Sequence, residues 1–275
     1  MNFYDPYVHG EFRKSFGMDA GVASRLWSSW ALWLLGFPEQ ALARGQEAID
    51  LGYFLDDPGN LSFAQDLIGF LRLLIGERDE IDNLLESFGK LLEKSPMQLH
   101  HADLEFLLGF NDVQKIALKT GINQMCNGIE AYQACGTIGQ LSMRLIILAE
   151  AYLDDGQWDQ AAQVIQEAEA LIEDLEERFY QAEAMRVKGK LMLKTGDLEG
   201  AEKYYLEAMQ VAGEQKAKTL ELRAATYLAR LWYERGRFEE AYEVLVGVYN
   251  WFIEGFNTSD LLDAQALMKE LEKYL

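Results

Sequence analysis

The chain has 275 residues, 49% of them apolar, and only four prolines; this favours a folded, helix-rich protein of one large domain or two ordinary ones over a disordered chain. Its formal net charge of −20 disfavours nucleic acid and anionic membranes as partners, because both are polyanions. No stretch is long and apolar enough to span a bilayer, no basic start followed by an apolar run marks a secretory signal, and two cysteines, Cys126 and Cys135, are too few for a disulfide framework, so a cytoplasmic location is expected.

Residues 1–18 carry Phe3, Tyr4, Tyr7, Val8, Phe12 and Phe16 at the place where the second helix of an earlier unit would lie. They read as the remnant of a preceding repeat in a longer chain, or as a segment that docks on another subunit to form a homo-oligomer. From residue 19 to 275 the chain repeats itself. "GFPEQA" (36–41), "GERDEI" (76–81), "GQWDQA" (156–161), "GDLEGA" (196–201) and "GRFEEA" (236–241) start at glycines spaced by 40 residues or twice 40. A fixed period of this size means stacked supersecondary units.

Each unit reads as two helices around its glycine. In the last, Leu222, Ala225, Leu228, Ala229 and Trp232 lie on one helical face, Gly236 stops the helix by going left-handed, and Glu239 and Glu240 sit at the positive end of the next. Small residues recur at Ser29, Gly69, Gly109, Ala149, Gly189 and Ala229, seven before each turn position. Five after it stand Ala41, Ile81, Gly121, Ala161, Ala201 and Ala241, and seven further on Ala48, Phe88, Gly128, Ala168, Ala208 and Val248. These are the expected helix crossings. The third unit has Ile116 in place of the turn glycine, which predicts an altered turn or a longer first helix. Past the sixth unit, Asn257, Thr258 and Ser259 offer an N-cap to a last helix over 259–274, with Leu261, Leu262, Leu267 and Leu271 covering the array and Lys269, Glu270 and Lys273 in water.

No phosphate-cradling glycine loop, nucleophile elbow or calcium loop is present, so no catalytic residue, metal or cofactor is expected and the chain reads as a non-enzyme. His9, His100 and His101 are the whole histidine complement; His100 and His101, adjacent on one helix, point a third of a turn apart and do not readily share an ion. An unrecognised enzyme site around His100, His101 and Asp103 stays as an alternative. Cys126 and Cys135, nine apart on one helix, cannot bridge, and Cys126 reads as a small buried residue.

The small-residue offsets, with Tyr152 or Trp232 a turn after the first of them, resemble the tetratricopeptide repeat (TPR) in a 40-residue form. The stretches 31–49, 177–197, 215–232 and 248–271 are similar to the C-terminal TPR region of bacterial signalling proteins that join an adenylate/guanylate cyclase or other effector to an AAA- or NACHT-type ATPase; residues 85–135 depart from that pattern. The resemblance implies an all-α, right-handed TPR superhelix of six helical hairpins plus the capping helix. It further implies a regulatory scaffold that binds a protein or peptide and controls an attached or separate cyclase/ATPase effector.

In such an array the first helices line a concave groove. The positions beside the small residues hold Arg186, Lys190, Lys194, Arg223 and Arg230 in the last two units, and Trp30, Trp33, Phe63, Phe70, Phe106 and Phe110 in the first three. Two readings of the cations stand. They bind an acidic peptide, a carboxylate or a phosphate, or Glu150, Glu183 and Glu234 neutralise them within the lattice. The aromatics either fill the core or form an apolar groove, with Trp30, Phe70 and Phe110 as anchors. The ligand expected is an acidic or amphipathic peptide or other anionic group; the alternative is a structural or oligomerisation module.

Overall fold

The structure, a computed structural model, describes residues 4–5, 17–77, 80–93, 97–115 and 117–275. Among these residues it is all-helical, with six antiparallel hairpins and a terminal helix. The hairpins are α1 (Ala20–Leu34) with α2 (Pro38–Phe54), α3 (Pro58–Ile75) with α4 (Ile81–Leu92), and α5 (Gln98–Gln114) with α6 (Leu118–Ala134). They continue as α7 (Leu141–Asp154) with α8 (Trp158–Asp174), α9 (Gln181–Lys194) with α10 (Leu198–Glu214), and α11 (Lys218–Glu234) with α12 (Phe238–Tyr249). Helix α13 (Ser259–Leu271) closes the array, three residues shorter than the expected 259–274.

Local chemistry sets these elements. Asp19 caps α1 by accepting from the amides of Gly21 and Val22, and the Tyr4 hydroxyl donates to the same oxygen. Asp57 caps α3, with Pro58 at the first helical position, where its missing amide costs nothing. Gly36, Gly76, Gly156, Gly196 and Gly236 all have φ between +75° and +92°, the left-handed turn the 40-residue spacing predicts. A second left-handed turn recurs between hairpins, at Asp56, Gly136, Glu176 and Lys216, with the same 40-residue spacing or twice it.

The small-residue stripes are buried at all eighteen positions. In the third hairpin they bring backbone against backbone: a Cβ on Gly109 would stand 2.5 Å from the Gly121 carbonyl, and one on Gly128 2.7 Å from the Phe106 amide. α5 has 17 residues, more than α1, α7 and α9 with 15, 14 and 14 and fewer than α3 with 18, so it falls within the range of the other first helices; Ile116 itself lies outside the described residues. The cap also differs in one position. Leu261, Leu267 and Leu271 are buried, but Leu262 is half in water and Ala264 takes the inward place. Leu262 follows Leu261 directly and so points a third of a turn away. Of residues 1–18 only 4, 5, 17 and 18 are described, so the expectation for that segment, and His9 with it, lies outside the described residues.

The superhelix closes on itself. The Thr219 hydroxyl donates to the Trp33 carbonyl, the Trp251 indole to the Leu35 carbonyl, the Gly255 amide to Glu39 and the Ser259 hydroxyl to the Ile75 carbonyl. The Gln40 amide and side chain both donate to Glu254. The turns of the first two hairpins thus meet the sixth hairpin and the cap, and the concave face becomes the inside of a ring.

Candidate functional site

The ring encloses an open cavity of about 440 Å³, bordered by α3, α5, the start of α6, α7, α9, α11 and α13. Its lining combines apolar side chains, Leu74, Phe110, Val113, Leu118 and Ile147, with a polar set of Glu150, Glu183, Arg186, Arg223, Tyr227 and Asp260. That size and this lining suit a ligand-sized site with a few convergent polar groups.

The polar set is an interlocked lattice. Arg186 sends two nitrogens to Glu150 at 2.9 and 2.7 Å and bonds Glu183 through Nε and Nη2, while its guanidinium lies 4.6 Å from the centre of the Tyr227 ring. Lys190 reaches Glu150 at 3.2 Å and Asp154 at 2.7 Å. Arg223 grips both oxygens of Asp260 through Nε, at 3.0 and 2.9 Å, donates to the Leu74 carbonyl, and stands 3.5 Å from Glu183 and over the Trp33 ring. Arg223 therefore touches the first, second and fifth hairpins and the cap at once. Arg230 pairs with Asp263 and lies beside the Tyr227 ring.

Burial and charge pull against each other here. Burial would raise Glu150, but the Arg186 guanidinium and Lys190 ammonium hold it well below the usual carboxylate range. Burial would lower Arg186, but Glu150 and Glu183 keep it firmly charged. At Asp260 burial wins, and its carboxyl is raised although Arg223 opposes.

Trp30, Phe70, Phe110, Glu150, Lys190 and Arg230 occupy one repeat position, 40 residues apart, yet they do not share one environment. Phe110 is half-buried and lines the central cavity. Phe70 is fully buried, stacked on Phe106 at 5.5 Å, and stands away from the cavity. Trp30 packs edge-on to Trp33, donates to the Leu67 carbonyl, and borders a separate apolar cavity of about 320 Å³ with Trp27, Leu34 and Phe179. Arg186 and Arg223 are brought together at the wall, Lys190 and Arg230 stand behind carboxylates, and Lys194 is exposed and outside the lining. Glu150 and Glu183 neutralise the cations as one reading expected; Glu234 is exposed. Sequence reasoning missed Asp260, whose only signal was an acidic residue in the first turn of the cap, and Tyr227, which the repeat spacing leaves unmarked. Cys126, expected to be buried, is half-buried, its thiol 3.2 Å from the Tyr152 hydroxyl.

The sequence model of the tetratricopeptide repeat family matches residues 143–167 and 222–245, the fourth and sixth hairpins. These two hairpins read as tetratricopeptide repeats. The hairpins outside the match keep the same 40-residue register and the same buried stripe positions. Among solved structures, the crystal structure of the apo form of RapI is similar in fold, with a TM-score of 0.57 over 92% of this chain and 71% of that one, at 13% identity. No curated protein matches in sequence. TPR arrays are interaction scaffolds, and no helix among the described residues is long and apolar enough to cross a membrane.

Proposed function

We propose that this TPR ring is a non-catalytic recognition module whose central cavity takes a short amphipathic peptide segment, its carboxylate on Arg186 or Arg223 and its apolar side chain against Phe110, Val113 and Ile147. The observation that carries the reading is that two guanidiniums and a set of apolar side chains line one cavity of about 440 Å³. Both guanidiniums are already paired, so a ligand carboxylate binds by exchange. Asp260 is the group suited to yield, because burial already disposes it to hold a proton. Arg223 also joins the cap to the first two hairpins, so its capture alters ring closure and, through small rotations added over neighbouring units, the surface shown to an effector. A cyclase or ATPase, attached or separate, is the class of effector proposed.

Short peptides ending in an apolar residue and a free carboxylate, titrated into the chain by calorimetry, should bind. Arg223→Met should weaken them at least tenfold, amidation of the carboxylate should do the same, and Lys194→Met should change nothing. Equal binding of free and amidated peptides, or none at millimolar concentration, sinks the reading. The second reading, a structural or oligomerisation module, is favoured by the pairing of Arg186, Lys190, Arg223 and Arg230 with carboxylates of the same chain. Sedimentation at high concentration tests it: a strict monomer removes the oligomeric form.

A further inference from the structure

The seam between α3 and α5 holds a second polar cluster, separate from the residues that line the central cavity. Asp66 comes from α3, and His100 and Asp103 come from the first turns of α5, so the two acids and the imidazole meet only when the second and third hairpins stack. All three are buried, with 3, 5 and 2% of their surface exposed. One donor atom from each lies within 4.8 Å of the other two.

Two features set this cluster apart from an ordinary buried ion pair. The first is unmet hydrogen bonding: His100 Nδ1 and Asp66 Oδ1 are buried without a hydrogen-bond partner, a state that destabilises the fold unless another group satisfies them. The second is charge. Two carboxylic acids face one guanidinium, that of Arg144, which donates to Asp103 at 2.6 Å. The spacing also fits an ion. His100 Nδ1 and Asp103 Oδ2 are 3.5 Å apart, close to the ~3.4 Å edge of a tetrahedron with bonds of about 2.1 Å. The outer groups fix the donors: the Arg144 guanidinium is clamped over Tyr132 at 4.1 Å and over Phe70 at 4.8 Å, and Phe88 stands edge-on to the imidazole.

We propose that Asp66, His100 and Asp103 form a structural site for one divalent transition-metal ion, which pins the second hairpin to the third. One nitrogen and two carboxylate oxygens suit Zn²⁺ or Mn²⁺ and do not suit Cu⁺, which prefers sulfur. Carboxylate and imidazole ligate a metal only in their deprotonated forms, so affinity should tighten as pH rises. His101, exposed on the next position of the helix, takes no part.

The test uses the full chain, stripped with chelator and then loaded with Zn²⁺, Mn²⁺ or Co²⁺, both in the native state and during refolding so that slow penetration of the core is not taken for lack of affinity. The expected result is one ion per chain, a rise in Tm, and, with Co²⁺, visible absorption of a tetrahedral centre. His100→Gln should lose at least tenfold in affinity and His101→Gln should lose nothing. The Co²⁺ spectrum keeps the test informative if the His100 variant fails to fold. Ions bound in numbers above one without a Co²⁺ centre, or retained by His100→Gln, would place them on the acidic surface and overturn the proposal. So would the absence of binding under both loading conditions.

Discussion

At the cavity wall Glu183 lies between Arg186 and Arg223 with 2% of its side chain exposed, and this position makes the partners unequal to lose. Arg186→Met leaves Glu183 buried without its closest cation, and a charge stranded in this way costs about 3–5 kcal/mol. Urea unfolding should show a loss of that order, and the double variant Arg186→Met/Glu183→Leu should recover most of it. Glu150 gives a pH signature with a definite sign. Its carboxyl is held below its usual value by Arg186 and Lys190, so the folded chain binds fewer protons there than the unfolded one. Its contribution is present above about pH 4.3, the unfolded value, and is lost as pH falls through the folded value. Glu150→Gln should therefore be less stable than the parent at pH 7, and the gap should shrink as urea midpoints are followed toward pH 3.

The hairpins make separate demands on glycine. In α5 and α6 the glycines allow backbones to touch, so Gly121→Ala, whose Cβ would meet the Gly109 carbonyl at 2.5 Å, should cost about 1–3 kcal/mol or more through overpacking. Between hairpins three of the four left-handed positions, Asp56, Glu176 and Lys216, are held by side chains that dislike them, so Lys216→Gly, at φ +58°, should stabilise by up to about 1 kcal/mol in thermal or urea unfolding. Only the first kind of glycine, and the turn glycines with it, were legible in the sequence. Asp56, Glu176 and Lys216 recur with the same period, but a polar residue in a polar turn leaves no compositional mark. The third hairpin shows the same limit from the other side. His100 and His101 look unable to share an ion when α5 is taken alone, and the residue that joins His100 and Asp103 is Asp66, from the neighbouring hairpin.

At the scale of the whole molecule, closure is the property on which the proposed signalling depends. Gly255 is the tightest point of that joint: it is left-handed at φ +73°, and its Cβ would run into Pro38. Gly255→Ala should loosen the first hairpin from the cap, raising the radius of gyration in small-angle scattering while helical circular dichroism stays unchanged; an unaltered scattering profile would show that the ring does not depend on this contact. The sequence by itself determined the hairpins, their register and their buried stripes, because these rest on interactions within a few turns of helix and recur at the same offsets in every unit. It also placed cations and aromatics at the inward repeat positions. Only the tertiary structure decided what those positions face. Arg223 finds Leu74 across 149 residues and Thr219 finds Trp33 across 186, and such partners depend on a small rotation per unit, summed over six, that no local pattern encodes. Whether a residue of one repeat position ends in the core, as Phe70 does, on the cavity wall, as Phe110 does, or in an ion lattice, as Glu150 does, follows from that summed curvature.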